Sequence, residues 1–200
     1  MNFSVIIPVY HEEETINDLL EHLMDLPGRN RAEIIVVDGD PGGSTLDNMA
    51  DFSEVNTFIG PKGRAAQMNA GAERAGNEIL IFLHADTKLP KDAFRLIENA
   101  FRQKAIVGGA FQLSIDSDRS YLKLVSWMAN RRTALNRIPY GDQAIFLDRE
   151  YFNSMGGFRE ILLMEEVELM RRIRKRGDSI TIVDEPVLTS DRRWEDEGAY

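Results

Sequence analysis

Apolar residues in the first half of the chain alternate between two patterns. Unbroken apolar runs at residues 5–7, 34–37 and 79–83 are typical of strands buried on both faces of a parallel sheet. Between the runs, apolar residues recur every three or four positions, which predicts helices with one buried face. The first such stripe consists of Ile16, Leu19, Leu20, Leu23 and Met24. Strands and helices should therefore alternate along this half.

This alternation predicts the topology of a sheet. With a third strand at residues 55–59, the first half has the order β-α-β-α-β-α-β-α. Its helices are expected at residues 12–26, 44–52 and 64–75 and from Pro90 onward, with Ser44 or Thr45 capping the second. Because these connections are too long for hairpins, we expect a mostly parallel, right-handed and helix-covered sheet.

The pattern changes from about residue 106 onward. Residues 110–115 alternate between apolar and polar, as an edge strand or an antiparallel strand would. Further strands are expected at 144–147 and 180–183, and helices at 119–135, 149–155 and 164–176. No linker or repeat separates the two halves. The sequence therefore predicts a single α/β domain over residues 1–200, with a regular half (about 1–105) and a more variable half (about 106–200).

Composition excludes several classes of protein. The 200 residues include no cysteine, which excludes disulfides, thiolate zinc sites and cysteine nucleophiles and agrees with a reducing cytoplasm. The net charge of −9 disfavours a general nucleic-acid binder. No apolar run approaches the roughly 20 residues of a transmembrane helix. Since a strand is expected directly after Met1, we expect no signal peptide and a cytoplasmic protein.

Two acidic residues follow buried strands. Asp38 comes directly after residues 34–37, and Asp86 closes the segment that begins at Ile79. The carboxyl ends of parallel strands meet at the edge where open α/β sheets bind ligands. An unpaired carboxylate is costly to bury there, so Asp86 should hold a cation or a donor. The alternative is that Asp86 caps a helix or stabilises a turn before Pro90.

Two basic residues complete this predicted cleft. Lys62 and Arg64 lie in a glycine-containing turn at the expected start of a helix, which suits an anion such as a diphosphate. Carboxylates and cations at one sheet edge fit a nucleotide diphosphate with Mg²⁺ or Mn²⁺. The carboxylate would bind the metal, and the metal would bind the phosphates.

Seven short segments carry a family resemblance. In the first half they are residues 4–13, 33–39, 63–71 and 84–86; in the second they are residues 140–143, 156–158 and 165–168. In order and spacing they resemble the family-2 glycosyltransferases, which have the GT-A nucleotide-sugar-binding fold. The similarity covers nearly the whole chain, and the chain resembles short bacterial members of the family.

The resemblance implies an inverting, metal-dependent glycosyltransferase that uses a nucleotide-diphosphate sugar, with a UDP-sugar as the expected donor. Asp86 would be the metal ligand, and Glu166 the general base with Glu165 as second candidate. The implied nucleotide-sugar-binding residues are Pro8, Tyr10, Glu12, Asp38, Lys62, Arg64, His84 and Ala85. The implied acceptor-side residues are Tyr140, Gly141, Asp142, Gln143, Arg193 and Trp194.

The chain departs from the family pattern in several places. Gly39 replaces the second Asp of a frequent pair, and His84 replaces the first Asp of the metal motif. Position 166 carries Glu where Asp is more common. Ser190 stands where processive synthases have Gln, which disfavours a processive enzyme. The chain ends at Tyr200, earlier than the family pattern, so we expect that a C-terminal segment is missing.

Glu166 is expected on the inward face of its helix. Leu169, Met170 and Ile173 lie three, four and seven positions further along and share that face. Partial burial raises the pKa of a carboxyl group, so we expect a raised pKa that would suit a general base. The alternative is an acid that only favours the helix dipole.

Other functions stay open at this point. A nucleotidyltransferase would need a glycine-rich, basic loop after the first strand, whereas residues 9–14 are acidic. A nucleotide-sugar-binding protein without catalysis is compatible with Gly39 and His84. The basic residues 171–176 would form a solvated helix end or, alternatively, a peripheral contact with anionic lipid. The sugar, the acceptor and the oligomeric state are not set by the sequence.

Overall fold

The computed structural model describes residues 1–103, 105–161 and 163–192. The elements of the first half are β1 (Phe3–Val9), α1 (Ile16–Met24), β2 (Ala32–Asp38), α2 (Ser44–Asp47), β3 (Val55–Ile59), α3 (Arg64–Arg74), β4 (Ile79–Phe82), β5 (Thr87–Lys88) and α4 (Ala93–Gln103). The second half contains β6 (Gly108–Asp116), α5 (Ser120–Asn136), β7 (Ile145–Asp148), α6 (Arg149–Ser154), α7 (Glu165–Arg176) and β8 (Ile180–Ser190). Two short 3₁₀ helices (Arg29–Arg31 and Gly141–Gln143) complete the described elements. The α/β class is confirmed.

The strands form one mixed sheet in the order β3-β2-β1-β4-β7-β6-β8-β5. β1 lies parallel between β2 and β4, and β3 extends the parallel part beyond β2. On the other side, β7 runs antiparallel to both β4 and β6, while β8 runs parallel to β6. β1, β2, β3 and β4 thus form the predicted parallel part. β5 pairs antiparallel with β8 at the opposite edge, so it belongs with the strands of the second half that make the sheet mixed.

The unbroken apolar runs exist because both faces of the sheet are covered. Val5 and Ile7 pack into the core on one face with Leu19 of α1, whereas Ile6 packs on the other face with Met68 of α3. Neighbouring strand residues point to opposite faces, so a strand buried on both sides has no polar alternation. Full burial of each such side chain contributes about 1.5–3 kcal/mol.

The strand predicted at residues 110–115 is not at an edge. It belongs to β6, which begins at Gly108 and lies between β7 and β8. The alternative of an antiparallel strand is correct for one neighbour only: β6 runs antiparallel to β7 but parallel to β8. β8 continues to Ser190, beyond the predicted 180–183, because Asp184 and Glu185 bulge out of the register and the pairing then resumes at Pro186.

Three helices are shorter than predicted. α1 begins at Ile16 rather than residue 12, and α4 at Ala93 rather than Pro90. α2 ends at Asp47, and its N-cap is Gly43 in the left-handed region (φ 69°), not Ser44 or Thr45. Of the helices within the described ranges, none combines the length and hydrophobicity needed to cross a bilayer.

Candidate active site

The carboxyl ends of β1, β2 and β4 meet at one edge of the sheet. Val9 pairs with Asp38 at the ends of β1 and β2, and Ile6 pairs with Phe82 at the end of β4. Backbone hydrogen bonds continue past the strands, from Gly39 N–H to the Val9 carbonyl at 2.9 Å. The loops that carry Tyr10, Asp38 and Asp86 therefore converge as predicted for a ligand-binding edge.

The Asp38 carboxylate is fully buried and bound to its own loop. Its Oδ1 accepts from the Asp40 N–H at 2.9 Å, and its Oδ2 accepts from the N–H groups of Thr45 at 3.1 Å and Leu46 at 3.4 Å. These hydrogen bonds join the carboxylate to the backbone of the loop that follows β2. Asp38 therefore shapes the loop that follows β2, and a base contact through its side chain would compete with these hydrogen bonds.

Gln67 of α3 explains why Gly39 stands after Asp38. The Gln67 amide donates to the carbonyls of Val9 at 2.7 Å and Val37 at 2.8 Å, which joins the ends of β1 and β2. A Cβ at position 39 would lie only 2.8 Å from the Gln67 side chain. An Asp at this position would displace Gln67. No spacing along the chain predicts this bridge.

Tyr10 and Lys62 form an exposed pair beyond the carboxyl ends of β1 and β3. The Tyr10 side chain is 42% exposed, and the Lys62 ammonium group donates to its hydroxyl at 3.2 Å. The same ammonium lies 4.9 Å from the ring centroid. Partly exposed Pro8 precedes this loop. An accessible aromatic ring next to a cation can stack on a base and attract a diphosphate.

Glu12 is joined to the far end of the described chain. Arg192 donates to Glu12 Oε2 at 2.6 Å, and the Thr15 hydroxyl donates to the same oxygen at 2.9 Å. The hydrogen bond with Glu12 and the nearby acids, including Asp86, raise the pKa of Arg192. This ion pair brings the residues after β8 beside the cleft, and the sequence analysis did not predict it.

The turn after β4 holds His84, Ala85 and Asp86. Asp86 Oδ1 accepts from the Thr87 hydroxyl at 3.0 Å, and its carbonyl accepts from the Ser190 N–H at 3.0 Å. Ala85 is buried. The chain enters β5 here, and α4 begins only at Ala93, so the helix-cap alternative for Asp86 is wrong. Asp86 does lie in a turn, as the second alternative proposed. Its position there is compatible with binding a metal ion as well.

Few protein ligands for a metal ion lie around Asp86 among the described residues. In the described part of the chain, no group of three or more His, Asp or Glu side chains is arranged to bind a metal ion. Mg²⁺ commonly uses one or two carboxylates and takes its other ligands from substrate phosphates and water. The residues present therefore fit a metal shared with a diphosphate, with Asp86 as the protein ligand.

His84 and Glu166 face each other across the cleft floor. Their Nε2 and Oε1 atoms are 3.6 Å apart, and neither has a hydrogen-bond partner among the described residues although both are buried. Gly141 packs directly on this pair. A Cβ at position 141 would overlap Glu166 Oε1 and lie 2.7 Å from His84 Nε2, so only glycine fits here without a shift.

Glu165 and Glu166 are both buried at the start of α7, but their pKa values move in opposite directions. Burial, and then the charge of Glu166, raise the pKa of Glu165. For Glu166, burial acts upward but His84, together with the backbone and Arg64, outweighs it, so the pKa lies below the usual 4.5. The expectation of a raised pKa for Glu166 is therefore wrong, because it omitted His84.

Asp142 adds a third acid to this region. Burial raises its pKa first, and the charges of Asp86 and Glu166 add to this, while His84 and Arg132 oppose it. Its Oδ1 is buried without a hydrogen-bond partner in the described ranges. We call His84, Asp142 and Glu166 the acceptor-side cluster. Each member has one buried polar atom that the described protein does not satisfy.

The loop that carries Gly141 and Asp142 is fixed by hydrogen bonds of the buried Gln143 side chain. Gln143 is fully buried; it accepts from the Thr133 hydroxyl at 3.0 Å and the Tyr140 N–H at 3.1 Å and donates to the Phe111 carbonyl at 3.0 Å. Gln143 thus supports the loop and does not face the cleft. The Tyr140 ring lies under the Arg132 guanidinium, 3.7 Å from its centroid, and Arg132 was not predicted as a site residue.

The turn at residues 156–158 is fixed by two polar side chains. Asn69 exchanges hydrogen bonds of 2.9 Å with the Phe158 backbone in both directions. Arg172 donates to the carbonyls of Met155 and Gly157 at 2.6 Å each. These contacts hold the turn against α3 and α7. The predicted acceptor-side residues Arg193 and Trp194 lie outside the described residues.

Comparison with known proteins gives one family match. The family model described as "Glycosyl transferase family 2" matches residues 4–160. An undecaprenyl-phosphate 4-deoxy-4-formamido-L-arabinose transferase of Aeromonas hydrophila is 31% identical over 69% of this chain and 46% of its own length. A probable glycosyltransferase of Bacillus subtilis, YdaM, is 25% identical over 97% of this chain and 50% of its own length. The chain thus spans about half the length of these two relatives.

Solved structures share the fold. The TarS fragment 1–349 of S. aureus has a TM-score of 0.72 at 18% identity, over 95% of this chain and 60% of that one. The same fragment in complex with UDP-GlcNAc gives 0.71 at 18% identity, over 100% of this chain and 62% of that one. The mannosyltransferase PcManGT of Pyrobaculum calidifontis, in complex with GDP-Man and Mn²⁺, gives 0.67 at 21% identity, over 95% and 56%. These likenesses establish a GT-A fold.

Proposed function

The chain belongs to glycosyl transferase family 2, and we propose that it transfers a sugar from a nucleotide-diphosphate sugar, a UDP-sugar by preference, to a hydroxyl acceptor with inversion. One observation carries the proposal. Asp86 follows β4 at the ligand-binding edge, and two residues before it His84 lies 3.6 Å from the buried Glu166 carboxylate. A potential metal ligand and a potential base thus lie in one region, since burial raises the pKa of Asp142 and the charges of both add to this.

The donor would bind along the ends of β1 and β2 and the start of α3. Tyr10 offers an exposed ring for the base, and Lys62 and Arg64 offer positive charge for the diphosphate. Arg64 is the first residue of α3, where helix N–H groups also favour an anion. The structures of TarS with UDP-GlcNAc and of PcManGT with GDP-Man support a nucleotide sugar as donor for this fold.

Asp86 would hold a divalent metal together with the diphosphate. When bound, Mg²⁺ or Mn²⁺ supplies positive charge that stabilises the leaving nucleoside diphosphate. The Thr87 hydroxyl fixes one oxygen of Asp86, and the Ser190 N–H fixes its carbonyl. His84 stands where a second carboxylate is usual in the family, so Asp86 would be the main protein ligand. PcManGT in complex with GDP-Man and Mn²⁺ supports a metal in this fold.

Glu166 would accept the proton of the acceptor hydroxyl. The acceptor oxygen would form the new bond to the anomeric carbon, the bond from that carbon to the diphosphate oxygen would break, and the proton would pass to Glu166. Because its pKa is lowered, Glu166 is ionised at neutral pH and ready to accept. Glu165 has a raised pKa and lies beside it as the second candidate. A positioned base of this kind typically contributes about 10²–10⁴ in rate.

Two measurements test the proposal. In a thermal-shift panel, nucleotide sugars with Mn²⁺ should raise the melting temperature more than the same compounds without metal, because ligands that bind only the folded state stabilise it. With a competent acceptor, the released product should be free nucleoside diphosphate. Release of pyrophosphate would indicate nucleotidyl transfer, and binding with neither transfer nor hydrolysis would indicate a binding protein without catalysis.

A further inference from the structure

Helix α5 exposes an apolar face that the fold does not use. Its inward side is fixed to β6, since Leu122 and Thr133 are fully buried and Asn130 exchanges hydrogen bonds of 2.8 and 2.9 Å with the Leu113 backbone. The opposite side exposes large apolar residues. They are Tyr121 (41%), Leu124 (54%), Trp127 (57%), Met128 (50%) and Leu135 (81%).

These residues form one continuous surface. Positions 121, 124, 128 and 135 are separated by three, four and seven residues, so they lie along one side of the helix, and Trp127 widens that side. We call this surface, together with exposed Lys123 and Arg131, the outer face of α5. Over 17 residues the helix is about 25 Å long. An aligned apolar surface of this kind marks an interaction site more often than a scattered one.

The charge of α5 opposes that of the rest of the chain. Ser120–Asn136 contains Lys123, Arg131 and Arg132 but no Asp or Glu, whereas the whole chain has a net charge of −9. Arg132 stacks on Tyr140, which leaves Lys123 and Arg131 on the outer face. The Arg131 guanidinium lies 5.6 Å from the centroid of the Trp127 ring, so cation and aromatic ring sit together. The outer face is therefore both apolar and positive on an otherwise acidic protein.

We infer that the outer face of α5 docks on an anionic lipid bilayer. Trp and Tyr favour the boundary between head groups and acyl chains, Leu and Met insert beside them, and Lys and Arg contact the anionic head groups. A second copy fits this surface less well, because its α5 carries no Asp or Glu that could pair with Lys123 and Arg131. The acidic remainder of the chain would be repelled by the same bilayer, which orients α5 toward it.

Docking on α5 would place the acceptor-side loop near the membrane. Asn136 ends α5 five residues before Gly141, and five residues span at most about 17 Å. Gly141 in turn contacts His84 and Glu166. If the proposed sugar transfer is correct, this arrangement favours an amphiphilic acceptor held at the lipid surface. The docking itself does not depend on that transfer.

Vesicle binding tests the inference without an activity assay. The chain should sediment with vesicles of phosphatidylcholine mixed with phosphatidylglycerol and bind those of phosphatidylcholine alone at least tenfold more weakly. Each basic residue at such a surface contributes about fivefold in affinity, so Lys123→Glu with Arg131→Glu should weaken binding more than about tenfold. Leu124→Gln with Trp127→Gln should do the same through lost insertion. All four side chains are exposed, so the melting temperatures should change little.

Matched controls lie on two other elements, α7 and β3. Arg171→Glu with Lys175→Glu removes the same charge from exposed positions on α7, and Ile59→Gln removes an apolar side chain that is 53% exposed on β3. Both should bind vesicles like the unaltered chain. In a Trp194→Phe background, the emission of Trp127 should shift to shorter wavelength on anionic vesicles only. Failure of the unaltered chain to bind, or equal loss in the α7 control, would overturn the inference. Self-association lost in the α5 variants would instead indicate a second copy as the occupant.

Discussion

The two sides of the cleft differ in how their buried polar atoms are satisfied. On the nucleotide side, Asp38 accepts from three backbone N–H groups, and the Gln67 amide donates to two backbone carbonyls. In the acceptor-side cluster, His84, Asp142 and Glu166 each keep a buried atom without a hydrogen-bond partner among the described residues, although the His84 and Glu166 atoms lie 3.6 Å from each other. Native proteins rarely leave such atoms unpaired without a reason. The difference separates polar groups that build the cleft from those that are left for a ligand.

This comparison predicts that changes in the acceptor-side cluster alter the rate, whereas changes at Asp38 and Gln67, whose hydrogen bonds hold the backbone, alter stability. The predictions below test that division.

After removal of the proposed base itself, the largest effect is expected from Gly141→Ala. The new methyl group would overlap Glu166 Oε1 and displace the proposed base, and a shift of about 1 Å in a catalytic group can cost about 100-fold in kcat. Steady-state kinetics should show this loss while circular dichroism shows a folded protein. Gly76→Ala is the matched control, since a Cβ there would be 3.6 Å from Glu33 Oε1 and within ordinary contact. Equal losses in both variants would count against the placement of the base.

Asp38→Asn should act mainly on stability. The amide has one acceptor oxygen where the carboxylate has two, so its NH₂ group would face either the Asp40 N–H or the N–H groups of Thr45 and Leu46 and lose those hydrogen bonds. Loss of such buried hydrogen bonds should lower the free energy of unfolding by about 1–3 kcal/mol. Denaturant titration would measure it. Asp40→Asn, at a more exposed position of the same loop, should cost less. A variant with unchanged stability and a lost turnover would place Asp38 among the catalytic groups instead.

A smaller effect is expected on the pH profile of His84→Asn. In the unaltered chain the pKa of Glu166 lies below 4.5, so the proposed base stays ionised and kcat should fall only below that pH. Removal of His84 leaves burial, which raises the pKa, as the dominant influence. The acidic limb of the kcat profile should therefore move to higher pH. His22→Asn on α1 should leave the limb in place. An unmoved limb in His84→Asn would mean that His84 does not set the pKa of the base.

The pKa shifts of these acids also affect how the free energy of unfolding depends on pH. A carboxyl group whose pKa is lowered by folding stabilises the protein above its ordinary pKa, and this contribution is lost as the pH falls through the lowered value. Asp142 and Glu165 have raised pKa values, so their ionised forms oppose folding and their protonation at lower pH relieves that cost. The acceptor-side cluster thus holds both contributions within one site.

The sequence predicted the regular half of the fold well because its signals are local. Unbroken apolar runs identify β1, β2 and β4, and their parallel order follows from the lengths of the connections. The place of β6 inside the sheet could not be read in this way. It depends on pairing with β8, which lies about 70 residues further on and is interrupted by a bulge at Asp184 and Glu185.

The sequence named residues of the candidate site but did not predict how they contact one another. The spacing and the family resemblance identified Asp86, Glu166 and Gly141, but not that Gly141 seats the His84–Glu166 pair. The lowered pKa of Glu166 was missed because it depends on His84, more than 80 residues away. Gln67, Arg132 and Arg192 were also missed. Each acts through a contact between distant elements, and no local pattern signals such contacts.

The most direct test of Glu166 as the base compares two variants at adjacent positions. Transfer by Glu166→Gln and Glu165→Gln should be measured with a nucleotide sugar and an accepted acceptor, alongside the affinity for the donor. We predict that Glu166→Gln lowers kcat by about 10²–10⁴ with donor affinity nearly unchanged, while Glu165→Gln retains most of its rate. Retained transfer in Glu166→Gln together with abolished transfer in Glu165→Gln would contradict the account and move the base by one residue.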